Sequence, residues 1–82
     1  MARWHNKGMD LRRLWADNLK AAREAAGLSQ FDLAVRALID QGTISKMENG
    51  TRGISDDAKV KLARALGVPA GELFPFPDGV RS

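Results

Sequence analysis

The segment LSQFDLAVRALIDQGTISKMENG, residues 28–50, decides the fold. Two short helical patterns lie in it, one starting after Ser29 and the other after Asp40. A connection of only about three residues forces such helices to cross steeply, and the small Ala34 in the first lets them approach closely. Ile39 and Ile44 stand on either side of the turn and are expected to fix both helices to a core. The segment therefore predicts a closely packed helix pair.

The second helix of this pair, residues 40–49, is mostly polar. Ile44 and Met47 are three residues apart and predict one buried stripe. The remaining side chains predicted to face outward are polar or small, namely Gln41, Gly42, Ser45, Lys46 and Asn49. Gly42 falls in the first turn, where glycine should cost less than the ~1 kcal/mol of a helix interior. A helix of this composition needs a function for its outer face.

Helical patterns continue on both sides of the segment. A first helix is predicted from Asp10, its candidate N-cap, to Gly27, its candidate terminator. Its apolar face is Leu11, Leu14, Trp15, Leu19, Ala22 and Ala26. Ser29 and Asp32 have the spacing of a capping box at the start of the second helix, where Leu33, Ala34 and Ala37 are predicted to face inward.

Two further helices are predicted after Gly50. Ser55 is the candidate N-cap of the fourth helix, which Gly67 should end. Its buried face is predicted to be Val60, Leu62, Ala63 and Leu66. The fifth is a short turn, PAGELF, that starts at Pro69 and should bury Leu73. The fold class predicted is all-α with five helices and no strands.

Composition limits the domain organisation and the function. The 82 residues, 44% hydrophobic and 28% charged, suit one globular domain. We predict a flexible N-terminal arm at 1–9, a domain at 10–75 that contains the helix pair, and a short C-terminal tail at 76–82. No run approaches the ~20 apolar residues of a membrane span, so a cytoplasmic protein is expected. The net charge of +3 is compatible with a polyanionic partner.

The sequence offers no chemistry for catalysis. It contains no cysteine and a single histidine, His5, which argues against zinc, disulfide and thiolate sites. No acid and base are paired, no phosphate-binding loop occurs, and neither Ser29 nor Ser55 has a partner that would activate it as a nucleophile. We therefore expect no enzyme, no cofactor, no metal and no small-molecule ligand.

Four groups of residues carry a family resemblance: Leu28-Ser29-Gln30, Leu33-Ala34, Ile44-Ser45 and Glu48-Asn49-Gly50. In order and spacing they resemble, without gaps, the helix-turn-helix of the lambda repressor and Cro superfamily, also called the XRE family. The resemblance covers roughly residues 14–74. It implies a lambda-repressor-like DNA-binding domain and a sequence-specific transcriptional regulator, a repressor, that binds a palindromic operator as a homodimer.

The resemblance also implies residue roles, with helix 40–49 in the major groove. The expected base contacts are Gln41, Gly42, Thr43, Ser45 and Lys46, and the expected phosphate contacts are Arg23, Gln30, Asn49 and Arg52. Glutamine can pair with adenine through two hydrogen bonds, and lysine can donate to guanine. Arg23 is expected to pair with Glu48. An apolar cluster at the end of a small domain either completes the core or joins two monomers, and Phe74 and Phe76 are the expected dimer interface.

Two positions depart from the family pattern. Leu38 stands in the turn where relatives often have glycine, which predicts either a wider turn or a strained backbone. Gly42 has no side chain, so base recognition should rest mainly on Gln41 and Lys46.

Several alternatives remain open at the level of sequence. Gln41 and Lys46 would also suit a solvated surface, and Arg23 with Glu48 an exposed ion pair. A solvated helix face is favoured over a second binding site for Lys59, Lys61 and Arg64. Basic residues near the N-terminus either add non-specific DNA affinity or are padding: Arg3, Lys7, Arg12 and Arg13. The alternative function is a protein-interaction module, such as an antitoxin partnered with a toxin, with FPFPDGVRS as its candidate binding segment.

Overall fold

Five α-helices form the part of the chain that the computed structural model describes, residues 7–76, with side chains from residue 11 onward. They are α1 (Lys7–Ala25), α2 (Gln30–Ala37), α3 (Gln41–Glu48), α4 (Asp56–Leu66) and α5 (Ala70–Leu73). The long α1 packs against α3 and α5, and α2 packs against α3 and α4. The predicted all-α, five-helix fold is confirmed.

Local hydrogen bonds explain where the helices begin. Ser29 and Asp32 form the predicted capping box, in which the Asp32 amide donates to Ser29 Oγ (2.9 Å) and the Ser29 amide donates to Asp32 Oδ2 (3.0 Å). The bond from the Ser29 amide is the main cause that holds the pKa of Asp32 below its usual value. Asp40 caps α3 and Ser55 caps α4 through their side-chain oxygens. These bonds satisfy amides that have no partner within the helix.

One apolar core holds the helices together. The first four helices each contribute one fully buried large side chain: Leu19, Leu33, Ile44 and Leu62. Met47 (3% exposed), Leu73 and Trp15 complete the centre of the core as predicted. Burying one such side chain favours folding by about 1.5–3 kcal/mol.

The start of α1 differs from the prediction. The helix begins at Lys7, so Asp10 lies inside it and is not its N-cap. Once a helix has formed, each further residue adds a hydrogen bond, and the segment from Lys7 to Met9 contains no proline to stop it. The rest of the predicted arm, Trp4 included, and the tail from residue 77 lie outside the described residues. So does most of the segment on which the antitoxin alternative depends.

Val60 is not part of the buried face of α4, contrary to the prediction. Its side chain is 50% exposed. The buried face of α4 is formed by Ala58, Leu62 and Ala63. Val60 is two residues from both Ala58 and Leu62, which places it about 200° around the helix and therefore on the opposite side.

The segment after α5 folds back onto α1. Trp15 donates its indole N–H to the backbone oxygen of Pro75 (2.7 Å), and Asn18 donates to that of Leu73 (3.1 Å). Phe74 is 3% exposed and packs edge-on against Trp15, with ring centroids 5.9 Å apart. A side chain this deeply buried in the monomer is not available to a second subunit. The structure thus places Phe74 in the core and not in the predicted interface.

Lys59 also differs from its predicted place on a solvated face. Its side chain is only 14% exposed, and its ammonium lies 3.9 Å from the centroid of the Trp15 ring. A cation over an indole face is attracted to the ring electrons. The long aliphatic stem of lysine can pack on apolar surface while the charge remains near water. Lys59 therefore joins α4 to α1.

The turn between α2 and α3 contains a strained residue. Leu38 has φ 59° and ψ 43°, in the left-handed region, and is the only non-glycine residue with positive φ between residues 7 and 76. This conformation costs a non-glycine residue about 1–2 kcal/mol. Its side chain is 81% exposed, so packing does not offset the cost. Of the two alternatives for the turn, the structure shows the strained backbone.

Replacing Leu38 by glycine should stabilise the protein. We expect Leu38→Gly to raise the free energy of unfolding by about 1 kcal/mol, because the relief of strain exceeds the entropic cost of glycine. Urea unfolding followed by circular dichroism measures the change. Leu38→Ala removes the same exposed side chain but keeps the strain, so it should not share the gain. Equal stability of the two variants would contradict strain at this position.

Candidate nucleic-acid interface

The outer face of α3 is polar and accessible. Gln41, Gly42 and Lys46 are exposed, while Thr43 and Ser45 are half-buried at the edges of this face. The opposite side is buried through Ile44 (0% exposed) and Met47 (3%). The predicted base contacts thus lie on a helix that presents polar groups outward, as the spacing of its apolar residues indicated.

Gly42 also has a local structural role. A Cβ atom at this position would lie 3.0 Å from Asp40 Oδ2, the atom that accepts the hydrogen bond from the Thr43 amide. A larger residue would therefore crowd the carboxylate that caps α3. The glycine leaves room for this cap and at the same time leaves the helix surface open to a close approach.

A buried ion pair joins α1 to the end of α3. Arg23 donates from Nε to Glu48 Oε2 (2.7 Å) and from Nη2 to Glu48 Oε1 (3.0 Å), the paired geometry that suits guanidinium and carboxylate. A third N–H of Arg23 donates to the backbone oxygen of Leu28 (2.7 Å). The side chains are 11% and 3% exposed, so the predicted pairing is confirmed but the alternative of an exposed ion pair is wrong.

Gln30, the first residue of α2, joins the same network. Its Nε2 donates to Glu48 Oε1 (3.1 Å), so that Glu48 connects α1, α2 and α3. Hydrogen bonding to Glu48 is the main cause that raises the pKa of Arg23 above its usual value. Among the described residues, no buried side-chain nitrogen or oxygen lacks a hydrogen-bond partner. The network, which we call the Arg23–Glu48–Gln30 network, is fully satisfied.

The end of α3 presents further polar groups. Asn49 Oδ1 accepts hydrogen bonds from the amide (3.0 Å) and hydroxyl (2.6 Å) of Thr51, so its side-chain nitrogen is the atom available to donate to a ligand. Arg52 lies exposed in the loop that follows. Both predicted phosphate contacts are therefore accessible, whereas Arg23 is enclosed by its partners.

Sequence reasoning missed the structural role of Arg13. Its Nη2 donates to the backbone oxygen of Asn49 (3.1 Å), which lies at the negative end of the α3 dipole. A Cβ atom at Gly50 would be only 2.9 Å from the same nitrogen. The two partners are 36 residues apart, so no local sequence pattern predicts their contact. Arg13 fixes the end of α3 as Asp40 fixes its beginning.

A polar groove of ≈ 360 Å³ lies between α1 and the α2–α3 pair. It is lined by Arg13, Asp17, Lys20, Gln30, Ser45, Glu48 and Asn49. Three of these residues were predicted to contact DNA, namely Gln30, Ser45 and Asn49. The structure thus brings predicted base and phosphate contacts from different helices to one surface.

Comparison with known proteins also indicates a DNA-binding helix-turn-helix domain. Residues 19–73 match the family described as helix-turn-helix, HTH_3. The uncharacterized HTH-type transcriptional regulator RghRB of Bacillus subtilis (strain 168) is 39% identical over 75 residues, which cover 82% of this chain and 54% of that protein. The chain therefore spans about half the length of this curated relative. The predicted resemblance to XRE- and Cro-type DNA-binding domains, which are not enzymes, is confirmed.

Solved structures of similar fold support this result. The restriction-modification controller protein C.AhdI from Aeromonas hydrophila has a TM-score of 0.75 and 37% identity, covering 79% of this chain and 97% of that one. The hypothetical transcription factor NHTF from Neisseria has a TM-score of 0.76 and 34% identity, with 82% and 77% covered. In residues 7–76 no helix has both the length and the apolar character that crossing a membrane requires.

The ion pair of the Arg23–Glu48–Gln30 network should show strong coupling in a double-mutant cycle. Arg23→Met or Glu48→Met alone leaves one buried charge without its partner and should cost about 3–5 kcal/mol. The double variant should recover much of this loss, because both charges are gone. Urea unfolding of the four proteins gives the coupling free energy.

Glu48→Gln is the milder control, since it removes the charge and keeps a hydrogen-bonding side chain of the same size. It should fall between the wild type and Glu48→Met. A double variant destabilised by the full sum of the two single changes would contradict a coupled pair.

Proposed function

We propose that the chain is a sequence-specific transcriptional regulator that acts in the cytoplasm at the nucleoid. The chain belongs to the helix-turn-helix family of XRE- and Cro-type DNA-binding domains. The observation that carries the proposal is the exposed polar face of α3 on a helix anchored by Ile44, Met47 and Glu48. An α-helix fits the major groove, where each base pair presents a distinct pattern of donors and acceptors.

In this proposal α3 is the recognition helix, and Gln41 and Lys46 contact bases. Both side chains are exposed on the outer face, where a glutamine amide suits adenine and a lysine ammonium suits the acceptors of guanine. Gly42 brings the backbone close to the groove and contributes no side chain of its own. Thr43 and Ser45, half-buried at the edges, supply shorter contacts to bases or to the neighbouring backbone.

Phosphate contacts come from Gln30, Asn49 and Arg52. Gln30 opens α2, where the first amides lack partners within the helix and the dipole favours an anion. One N–H of its amide group is held by Glu48, and the other is left to donate. Because Arg23 is buried and donates to the same carboxylate as Gln30, we assign it the role of positioning this contact through Glu48.

We further propose that the protein is a homodimer that represses from a palindromic operator. A two-fold dimer would place two recognition helices about 34 Å apart, one turn of DNA, on one face of the duplex. Phe76 is 49% exposed beside Trp15 and remains the candidate interface residue after the burial of Phe74. Repression requires only that the operator be occupied, which a DNA-binding domain can do by itself.

Selection of bound sequences from a random DNA pool, followed by footprinting, tests the proposal. The selected sites should share two half-sites related by two-fold symmetry, with centres about 10 base pairs apart. Equal affinity for selected and random DNA would contradict sequence-specific regulation. Symmetric half-sites at another spacing would contradict the dimer geometry alone.

Lys46→Ala should weaken binding to the selected DNA by about 1–3 kcal/mol and relax the preference at one base pair of each half-site. The physical reason is the loss of a donor to a base edge. Fluorescence anisotropy with the selected duplex and a set of single-base variants measures both effects. Lys61→Ala, on α4, removes the same charge away from α3 and should leave the base preference unchanged.

Arg52→Ala provides the contrast expected of a phosphate contact. It should weaken binding to all sequences alike and reduce the slope of log affinity against log salt by about 1. If Lys46→Ala behaved in this way, with base preference intact, Lys46 would be a phosphate contact and not a base contact.

Phe76→Asp should weaken self-association of the proposed dimer, because it places a charge in an apolar contact. Analytical ultracentrifugation should show a monomer at concentrations where the wild type is dimeric. The isolated half-site should still be bound, since α3 is distant from the change in sequence and is held by its own contacts. Ala21→Asp, which introduces the same charge at an exposed position of α1, is the control and should leave the association unchanged. A monomeric wild type would contradict the dimer directly.

A further inference from the structure

A second surface groove lies between α2 and α4, apart from the proposed DNA-binding face. Its volume is ≈ 340 Å³, and it is lined by Arg36, Ala37, Leu38, Lys61, Arg64 and Ala65. It shares no residue with the polar groove beside α1 and contains none of the residues proposed to contact DNA. The proposed DNA contacts therefore do not account for this groove.

The groove has an apolar floor and a basic rim. Ala37 is 3% exposed and Ala65 is half-buried, so they form the floor. Among the described side chains, residues 11–76, the charged residues that line it are all cations, namely Arg36, Lys61 and Arg64. Lys61 pairs with Asp57 of the same helix (3.1 Å), whereas neither Arg36 nor Arg64 forms an ion pair with another side chain of residues 11–76. The electrostatic field of the groove thus favours an anionic ligand.

Leu38 gives the groove an exposed apolar side chain that the fold does not use. It is 81% exposed and stands in the strained left-handed conformation, where glycine would be relaxed. Phe31 (60% exposed) and Val35 (57%) are four residues apart on the same helix and extend the exposed apolar surface of α2. A strained residue whose side chain serves no internal contact is an observation from which a function can be inferred.

We propose that this groove binds a segment of another protein that carries carboxylates on either side of an aliphatic side chain. The carboxylates would pair with Arg36 and Arg64, and the aliphatic side chain would pack on Leu38 and the alanine floor. Charge complementarity of this kind gives selectivity and speeds association, while the apolar contact supplies affinity.

A DNA backbone fits the groove less well than an acidic protein segment does. Phosphate contacts use hydrogen-bond donors and charges, and they gain nothing from exposed leucine, valine or phenylalanine. A helix that bears acidic residues and leucines at spacings of three and four offers both kinds of contact on one face. The inference depends on the groove alone and not on the proposed function, so failure of either leaves the other standing.

The test uses a fluorescein-labelled synthetic helical peptide of about 15 residues that alternates pairs of glutamate with pairs of leucine. Two control peptides have lysine for glutamate or serine for leucine. We expect the full chain to bind the first peptide at least about tenfold more tightly than either control in fluorescence anisotropy. Equal binding of the three peptides would overturn the proposal.

Variants of the chain locate the binding. Arg36→Glu combined with Arg64→Glu should abolish the preference for the acidic peptide. Arg12→Glu combined with Lys20→Glu removes the same net charge from exposed positions on α1 and should keep the preference. Loss of the preference in both double variants would show that net charge alone attracts the peptide and would overturn the site.

Leu38→Gly is the decisive single change, since it relieves strain and therefore does not weaken the fold. It should weaken peptide binding about fivefold, as expected for the loss of an apolar anchor. Amide shifts in NMR spectra of the wild type should concentrate at Ala37, Leu38 and residues 61–65 on addition of the peptide. Shifts confined to α3, or binding unchanged in Leu38→Gly, would contradict the proposal.

Measurements of DNA binding test whether the DNA backbone, and not an acidic protein segment, occupies the groove. The Arg36→Glu, Arg64→Glu variant should keep the wild-type ratio of affinities for selected and random DNA. If it weakened binding to selected and random DNA alike and left peptide binding unchanged, the groove would be a DNA-backbone site and the proposal would be wrong.

Discussion

The position of α3, the proposed recognition helix, depends on a buried carboxylate. Glu48, at the end of α3, is 6% exposed and would destabilise the fold if it were unpaired. Arg23 from α1 supplies the counter-charge in two hydrogen bonds, and Gln30 from α2 supplies a third. A buried pair of this kind gives little net stability over an apolar alternative, but the cost of separating it is high. Because its three hydrogen bonds come from α1 and α2, the carboxylate ties the surface that α3 presents to the positions of both helices.

This constraint explains how a short polar helix exists at all. Eight residues are too few for a helix that is stable by itself in water, so α3 must be held by its surroundings. Ile44 and Met47 fix its inner face, Asp40 fixes its beginning, and Arg13 contacts the carbonyl of the residue after its end. With the helix fixed at both ends and along one side, its outer face is free to be polar and to carry residues chosen for a ligand.

The sequence predicted several features that depend on near neighbours, although not the start of α1 or the exposure of Val60. The capping box at Ser29, the N-caps of α3 and α4, and the buried spacing of Ile44 and Met47 involve residues three apart, and all are confirmed. The sequence did not predict contacts between residues that are distant along the chain. The Trp15 indole bonds to a carbonyl 60 residues away, and this docking buries Phe74, which the sequence had assigned to an interface. The pairing of Arg23 with Glu48 was foreseen only through family resemblance, and its burial was not.

Gly42 and Leu38 differ in what the backbone and the space around the side chain require at each position. Gly42 does not have the positive φ for which glycine is suited, and its use lies in the absence of a Cβ beside the Asp40 carboxylate. Leu38 does have a positive φ, and its side chain is turned outward from the fold. A domain with a stability of about 5–15 kcal/mol can carry a strain of about 1–2 kcal/mol. Because neither the core nor the turn within residues 11–76 gains from that leucine, its strain is what the proposed contact with a partner segment would offset.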